Sequence, residues 1–147
     1  QDLRRCLRFS DEGLLALLHR TGFLLQGLNL AGCTQLSAVG LFGLTRCPAL
    51  RSLDLSDLPR AEDPVLGWVA RHCAGNLREL RLARCAGLTD GGLQYLRAGL
   101  PLLDTLDLAR NPGLTDAGLA PLLAGCPALT HLDCRQLVRL TDRTLGA

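Results

Sequence analysis

The chain has 147 residues, 48% of them hydrophobic and 20% charged, which is enough apolar content for one domain with a substantial core and too much for a disordered tail. The formal net charge is +2, and its 16 basic residues, all arginine, are scattered among acids, so no basic stripe is laid out for nucleic acid or an anionic membrane. No apolar run reaches the ~20 residues of a membrane-spanning helix, and the opening QDLRRCLRFS lacks the apolar stretch and cleavage site of a signal peptide.

These features predict a soluble protein of the cytoplasm or nucleus. Seven cysteines, an odd number in a leucine-rich chain that needs no stapling, fit reduced thiols better than a disulfide framework. Lysine, isoleucine and methionine are absent, and the missing initiator marks the sequence as a segment of something longer. Selection against ubiquitin acceptors would explain the missing lysine; a codon bias that enriches Ala, Gly, Leu and Arg together explains it as well.

In chain order, an incomplete copy of a repeating phrase comes first, with Leu3, Cys6, Phe9, Ser10, Leu14 and Leu17 aligning on Leu30, Cys33, Leu36, Ser37, Leu41 and Leu44. Complete LxxLxL patterns follow at Leu25, Leu28, Leu30, then Leu50, Leu53, Leu55, then Leu77, Leu80, Leu82, then Leu103, Leu106, Leu108. A last copy runs Leu129, Leu132, Cys134, and the first leucines are spaced by 25, 27, 26 and 26 residues. Self-similarity at such a period signals a stack of coils, because one coil cannot bury its own leucines but neighbours can.

Each copy begins with the period of two of a β-strand and then changes to helical spacing. Ser10, Ser37, Asp63, Thr89, Thr115 and Thr141 stand where a helix N-cap is needed. Asp11, Asp90, Asp116 and Asp142 follow their caps, where the helix dipole favours negative charge, and Asp63 is followed by Pro64, a favoured first helical residue. Leu14 with Leu17, Leu41 with Leu44, Leu66 with Val69, Leu93 with Leu96 and Leu119 with Leu122 are expected to face the sheet. Cys6, Cys33, Cys85 and Asn111 hold the turn after the strand, where Leu58 and Leu137 satisfy no backbone group.

The expected fold is therefore α/β: a leucine-rich-repeat solenoid, or horseshoe, with a concave parallel sheet and convex helices. Residues 1–147 form one domain segment, comprising one partial N-terminal repeat, four full repeats and one truncated C-terminal repeat. It starts within a strand and stops soon after a helix starts, so neighbouring repeats are expected to cover both ends.

CPALRSLDLSD, CPALTHLDC and LRELRLARCAGLTDGGLQYL resemble the cysteine-containing class of leucine-rich repeats, whose pattern is roughly CxxLxxLxLxxCxxLTDxxLxxLA. Cys47, Cys73 and Cys126 take that pattern's first cysteine, and Cys6, Cys33 and Cys85 its second. The resemblance covers essentially the whole chain. It implies the substrate-binding half of an F-box protein, a receptor in a Skp–cullin–F-box ubiquitin ligase, which grips a target while an F-box outside this chain docks the adaptor. No F-box is expected within these residues.

Catalytic, cofactor and metal sites are not expected. His131 and Cys134 point to opposite faces of a strand, His72 and Cys73 diverge at a helix end, His19 ends the first helix, and no CxxC pair exists. The glycine pairs follow helix caps in repeat register and form no phosphate loop. The exposed strand positions carry the binding expectation instead. Asn29, Asp54, Arg81, Asp107 and Asp133 lie between the paired leucines; Glu79, His131 and Arg135 flank them; Arg84 and Arg110 stand one step beyond. Any half-exposed sheet needs polar residues there, but as a patch on the inner curve they suit an extended protein contact. Arg81 could also form a ladder with Asp54 and Asp107. A binding scaffold or inhibitor unconnected to ubiquitin would use the same curve, and a cysteine-dependent enzyme is the alternative of another class.

Overall fold

The computed structural model describes residues 9–142. Leu3 and Cys6 of the incomplete first copy, and the helix start expected beyond Asp142, lie outside these residues. The four LxL segments and the Leu132–Cys134 segment of the last copy give five short strands: β1 (Gly27–Asn29), β2 (Ser52–Asp54), β3 (Glu79–Arg81), β4 (Thr105–Asp107) and β5 (His131–Asp133). They pair in parallel, in sequence order, in one open sheet. Equivalent repeat positions sit side by side, so Leu28, Leu53, Leu80, Leu106 and Leu132 form one row. Backbone pairing continues past the strands, with the N–H groups of Gly32, Asp57, Arg84 and Arg110 donating to the carbonyls of Ser56, Ala83, Ala109 and Arg135 at 2.9–3.0 Å.

Helices α1 (Asp11–Thr21), α2 (Ala38–Leu41), α3 (Asp63–His72), α4 (Asp90–Gly99) and α5 (Asp116–Gly125) return the chain on the other side of the sheet. None is long and apolar enough to cross a membrane. α1 is followed by a 3-10 turn at Gly22–Leu24, and α2 gives way after one turn to a 3-10 segment, Phe42–Arg46, in a stretch where Gly40 and Gly43 lower helix propensity. Strand leucines and helix leucines meet in one continuous core, in which Leu30, Leu55, Leu82 and Leu108 are wholly buried. In the first helix Leu18, rather than Leu17, joins Leu14 in that core. The i, i+4 pair wins because Leu18 packs down onto Gly43, where an added Cβ would stand 3.0 Å from it.

Ser10, Ser37, Thr89 and Thr115 cap their helices by accepting backbone N–H groups of the first turn at 3.1–3.2 Å. Asp63 does not. Glu62 occupies the N-cap position of α3 without a side-chain bond, and Asp63 is the first helical residue. That places Asp63 in one column with Asp11, Asp90 and Asp116, and the column has a shared task. Each carboxylate reaches into the next coil and accepts from both the backbone N–H and the hydroxyl of that coil's cap: Asp11 from Ser37 at 2.9 and 2.5 Å, Asp63 from Thr89 at 2.9 and 2.5 Å, Asp90 from Thr115 at 2.8 and 2.5 Å. Asp116 does the same for Thr141.

The receiving coil must leave room for this carboxylate. A Cβ on Gly40, Gly92 or Gly118, three residues after the cap, would run into Asp11, Asp63 or Asp90 respectively. The phrase LTDxGL thus encodes a clamp between coils: threonine caps its own helix, aspartate holds the next coil's threonine, and glycine admits the previous coil's aspartate.

The turns after the strands are closed differently. Asn111 donates from Nδ2 to the carbonyls of Leu82 and Leu108 at 2.8 Å and accepts the Cys85 N–H at 2.8 Å. Leu58 offers no polar atom, and the Leu55 carbonyl in its turn receives the Cys85 thiol at 3.1 Å.

Candidate protein-binding surface

The register of the sheet sets Asn29, Asp54, Arg81, Asp107 and Asp133 in one row across the solvent-facing side. Four of these five have local work. The Oδ1 atoms of Asn29, Asp54, Asp107 and Asp133 accept the N–H two residues on, from Ala31, Ser56, Ala109 and Arg135, at 2.9–3.0 Å. Such an N–H lies where the strand ends and its ladder partner is lost, and a short carboxylate or carboxamide is the side chain that can fold back to it. Arg81 cannot do this, and the Ala83 N–H goes to Ser56 Oγ at 3.2 Å instead.

Arg81 is thus the member of the row with no duty to the backbone, and its side chain is 53% exposed. It makes no ladder with Asp54 and Asp107. Its guanidinium turns along its own strand to Glu79 at 2.6 Å, whose other oxygen accepts the Ser52 hydroxyl at 3.3 Å. A residue two positions along a strand shares its face, so Glu79 is within easy reach and the neighbouring carboxylates are already engaged by their own backbone.

The next row, Asp57, Arg84, Arg110 and Gln136, has left-handed backbone, with φ between 56° and 61°, where Gly32 has 72°. Non-glycine residues in this region are strained by roughly 1 kcal/mol, and the inter-coil backbone bonds hold them there. Arg84 grips Asp57 in the preceding coil through Nε and through Nη2, the latter at 2.6 Å, which stabilises its charged form further. Asp57 and Ser56 were not among the expected site residues; the in-register columns of the repeat are the signal that finds them. Arg110 is exposed and makes no ion pair with a described residue.

On β5, Arg135 binds Asp133 with Nη2 to Oδ2 at 2.6 Å, and this hydrogen bond holds the Asp133 carboxyl below its ordinary range. His131 is exposed, with Nδ1 2.8 Å from the Thr130 hydroxyl. The surface therefore brings all ten expected residues onto one side, with acids and arginines interleaved. Two shallow depressions on it meet at Asp54 and Arg81 and are floored by Leu28, Ser56 and Ala83.

The described cysteines face the interior. Among the described residues Cys33, Cys47, Cys73, Cys85 and Cys126 are buried, and Cys134, in a leucine slot of the last strand, is half-buried. Burial pushes the Cys47 thiol up to about 11 and the Cys73 and Cys85 thiols up to about 12, so all three are protonated at neutral pH. Among the described residues no His, Cys, Asp and Glu side chains gather into a metal-binding group.

Residues 76–96 and 100–123 match the family model described as Leucine Rich repeat. The fold is similar to a chain in the crystal structure of the Rad7 and Elc1 complex in yeast, with a TM-score of 0.78 and 28% sequence identity over 93% of the present chain. The chain spans 36% of the length of that solved chain. Repeats of this kind serve as protein-interaction modules on their extended surfaces. The matched segments are two coils of a longer stack of strand-and-helix coils, and the fold of the chain is a leucine-rich-repeat solenoid.

Proposed function

We propose that this chain recognises a target polypeptide on its concave sheet and is the substrate-recognition part of a Skp–cullin–F-box type ubiquitin ligase. The observation that carries the target-binding reading is the row across the sheet in which Arg81 alone is free of backbone duty, beside the left-handed arginines of the next row. Asn29, Asp54, Asp107 and Asp133 shape the strand ends; Asn29 presents its Nδ2 amide, and Asp54 and Asp107 their second carboxylate oxygens. Arg81, Arg84, Arg110, Arg135, Glu79 and His131 supply the discriminating contacts. The ligase reading is supported by the resemblance to the cysteine-containing repeats and by similarity to a chain solved within a two-protein complex. The Skp-type adaptor and cullin are reached through an F-box outside these 147 residues, in the cytoplasm or nucleus. Binding, not catalysis, is the role, and no cofactor takes part.

Two measurements test the two layers separately. Charge reversal of Arg81→Glu together with Arg84→Glu is expected to abolish capture of the target with an unchanged far-ultraviolet circular dichroism spectrum; undiminished capture moves the site off the sheet. The full-length parent protein is expected to co-purify with a Skp-type adaptor in equal amounts. Its failure to do so, with target capture intact, leaves a binding scaffold or inhibitor unconnected to ubiquitin.

A further inference from the structure

Aromatic residues are scarce in this chain, with one tryptophan, one tyrosine and three phenylalanines. Phe42, Trp68 and Tyr95 nevertheless stand on the helical side in three successive coils. Phe42 and Trp68 meet edge to face, with ring centroids 5.2 Å apart and planes at 87°. The Tyr95 ring lies over Gly67, 3.6 Å from where a Cβ would stand. Between α3 and α4 the Trp68 and Tyr95 rings frame a shallow, mostly apolar groove completed by Pro64, Ala98, Gly99 and Arg71.

Leu41, Leu66 and Leu93 fill the inward positions of the three helices, and Trp68 packs half-buried against that core while its aromatic neighbours face outward. Phe42 and Tyr95 remain 54% and 48% exposed. A contiguous exposed aromatic patch on a helix face costs solubility unless something covers it, and Trp, Tyr and Arg are the residue types that dominate binding energy at interfaces. Each of the expected contacts on the concave sheet is polar, so this is a second surface of different chemistry.

Charge decides among occupants. Arg71 lies in the groove at the C-terminal turn of α3, followed by His72, and Arg97 holds the equivalent turn of α4; neither arginine makes an ion pair with a described residue. Two copies meeting through this face would form a self-matching contact and bring like charges together, which opposes self-association and favours an acidic partner. Shape narrows it further. From Pro64 to Arg71 the groove follows roughly 10 Å of helix at about 1.5 Å per residue, which about three residues of polyproline helix span. Exposed aromatic rings in a shallow groove suit proline rings, and the polyproline conformation is ordered before it binds.

We propose that the convex groove framed by Trp68 and Tyr95 docks an extended, proline-containing segment of a partner protein, with a flanking carboxylate placed on Arg71.

Trp68 is the chain's one tryptophan, so its fluorescence reports the groove directly. The probes are acetylated peptides of two aspartates followed by four prolines, the counterpart with two lysines, and a version with the prolines replaced by alanine. The acidic proline peptide is expected to shift Trp68 emission saturably, with at least roughly tenfold weaker binding for the lysine and alanine versions. Tyr95→Ala is expected to abolish the shift, and Arg71→Glu to invert the preference between aspartate and lysine. Both positions are solvent-exposed, and a circular dichroism melt confirms that the variants fold. The Arg81→Glu, Arg84→Glu variant retains peptide binding, which separates this surface from the concave one. The proposal is overturned by no saturable shift into the millimolar range, by equal affinity for the acidic and basic peptides, by binding that survives Tyr95→Ala, or by sedimentation showing that the chain dimerises through Tyr95.

Discussion

Two kinds of junction hold this stack together, and the contrast between them explains most of its sequence variation. Between α1 and α2, α3 and α4, and α4 and α5, an aspartate of one coil clamps the cap of the next, and a glycine admits it. Between α2 and α3 all three partners change at once. Ala38 stands where the aspartate would be, Glu62 caps without a side-chain bond, and Val65, wholly inside, replaces the glycine.

This junction is fastened at the opposite end of its helices. Phe42 packs on Trp68, the Cys73 thiol donates to the Cys47 carbonyl at 3.3 Å, and Asn76 donates to the Pro48 carbonyl at 3.1 Å. A clamp with three parts is kept or lost as a unit, because a carboxylate without its space collides and a space without its carboxylate is a cavity.

The largest effect is expected from forcing a side chain into an intact clamp. Gly118→Val drives branched carbons into the Asp90 carboxylate and should cost about 3 kcal/mol or more, read as a fall in the denaturation midpoint. Asp90→Ala removes both bonds to Thr115 without overcrowding, and a loss of about 2 kcal/mol is expected from two bonds to a charged group.

The unclamped junction gives the converse test. Ala38→Asp alone should destabilise by about 1 kcal/mol, since Val65 occupies the space its carboxylate needs. Combined with Glu62→Thr and Val65→Gly it should show a favourable coupling of about 1–2 kcal/mol in a mutant cycle. Additive effects there would show that the three positions do not work together.

Alkali should loosen the thiol-fastened junction first. Cys47 and Cys73 rise from 9.0 to about 11 and about 12 on burial, so the stability they carry is complete below about pH 9 and declines as pH rises through that window. One unit above the unfolded value the loss is about 1 kcal/mol per thiol. Hydrogen exchange at α2 and α3 should accelerate there before α5 does; uniform acceleration across the stack would count against this weak point.

The stacking order, the strand register and most helix caps are legible in the leucine spacing, because those features depend on contacts that repeat with the coil. Asp63 shows where local chemistry misleads. Aspartate is a better cap than glutamate, so reading one helix at a time places it at the N-cap, while its partner Thr89 lies a full coil away. The binding row was legible as a place and less so as a set of roles. Asp54 and Asp107 look like a charged surface until their bonds to Ser56 and Ala109 are seen, and Arg81 lies in register with both yet pairs with Glu79. The convex groove is invisible to periodicity, because Phe42, Trp68 and Tyr95 occupy positions the helical pattern leaves outside.

The buried cysteines also set the conditions under which the molecule returns from denaturation. Their inertness belongs to the folded state: once heat holds the coils apart, all seven sulfurs meet solvent and dissolved oxygen within one flexible polymer, and prolonged exposure gives wrong cross-links time to form. Heating in air should therefore leave a chain that does not recover on cooling, and a reducing agent should restore full reversibility.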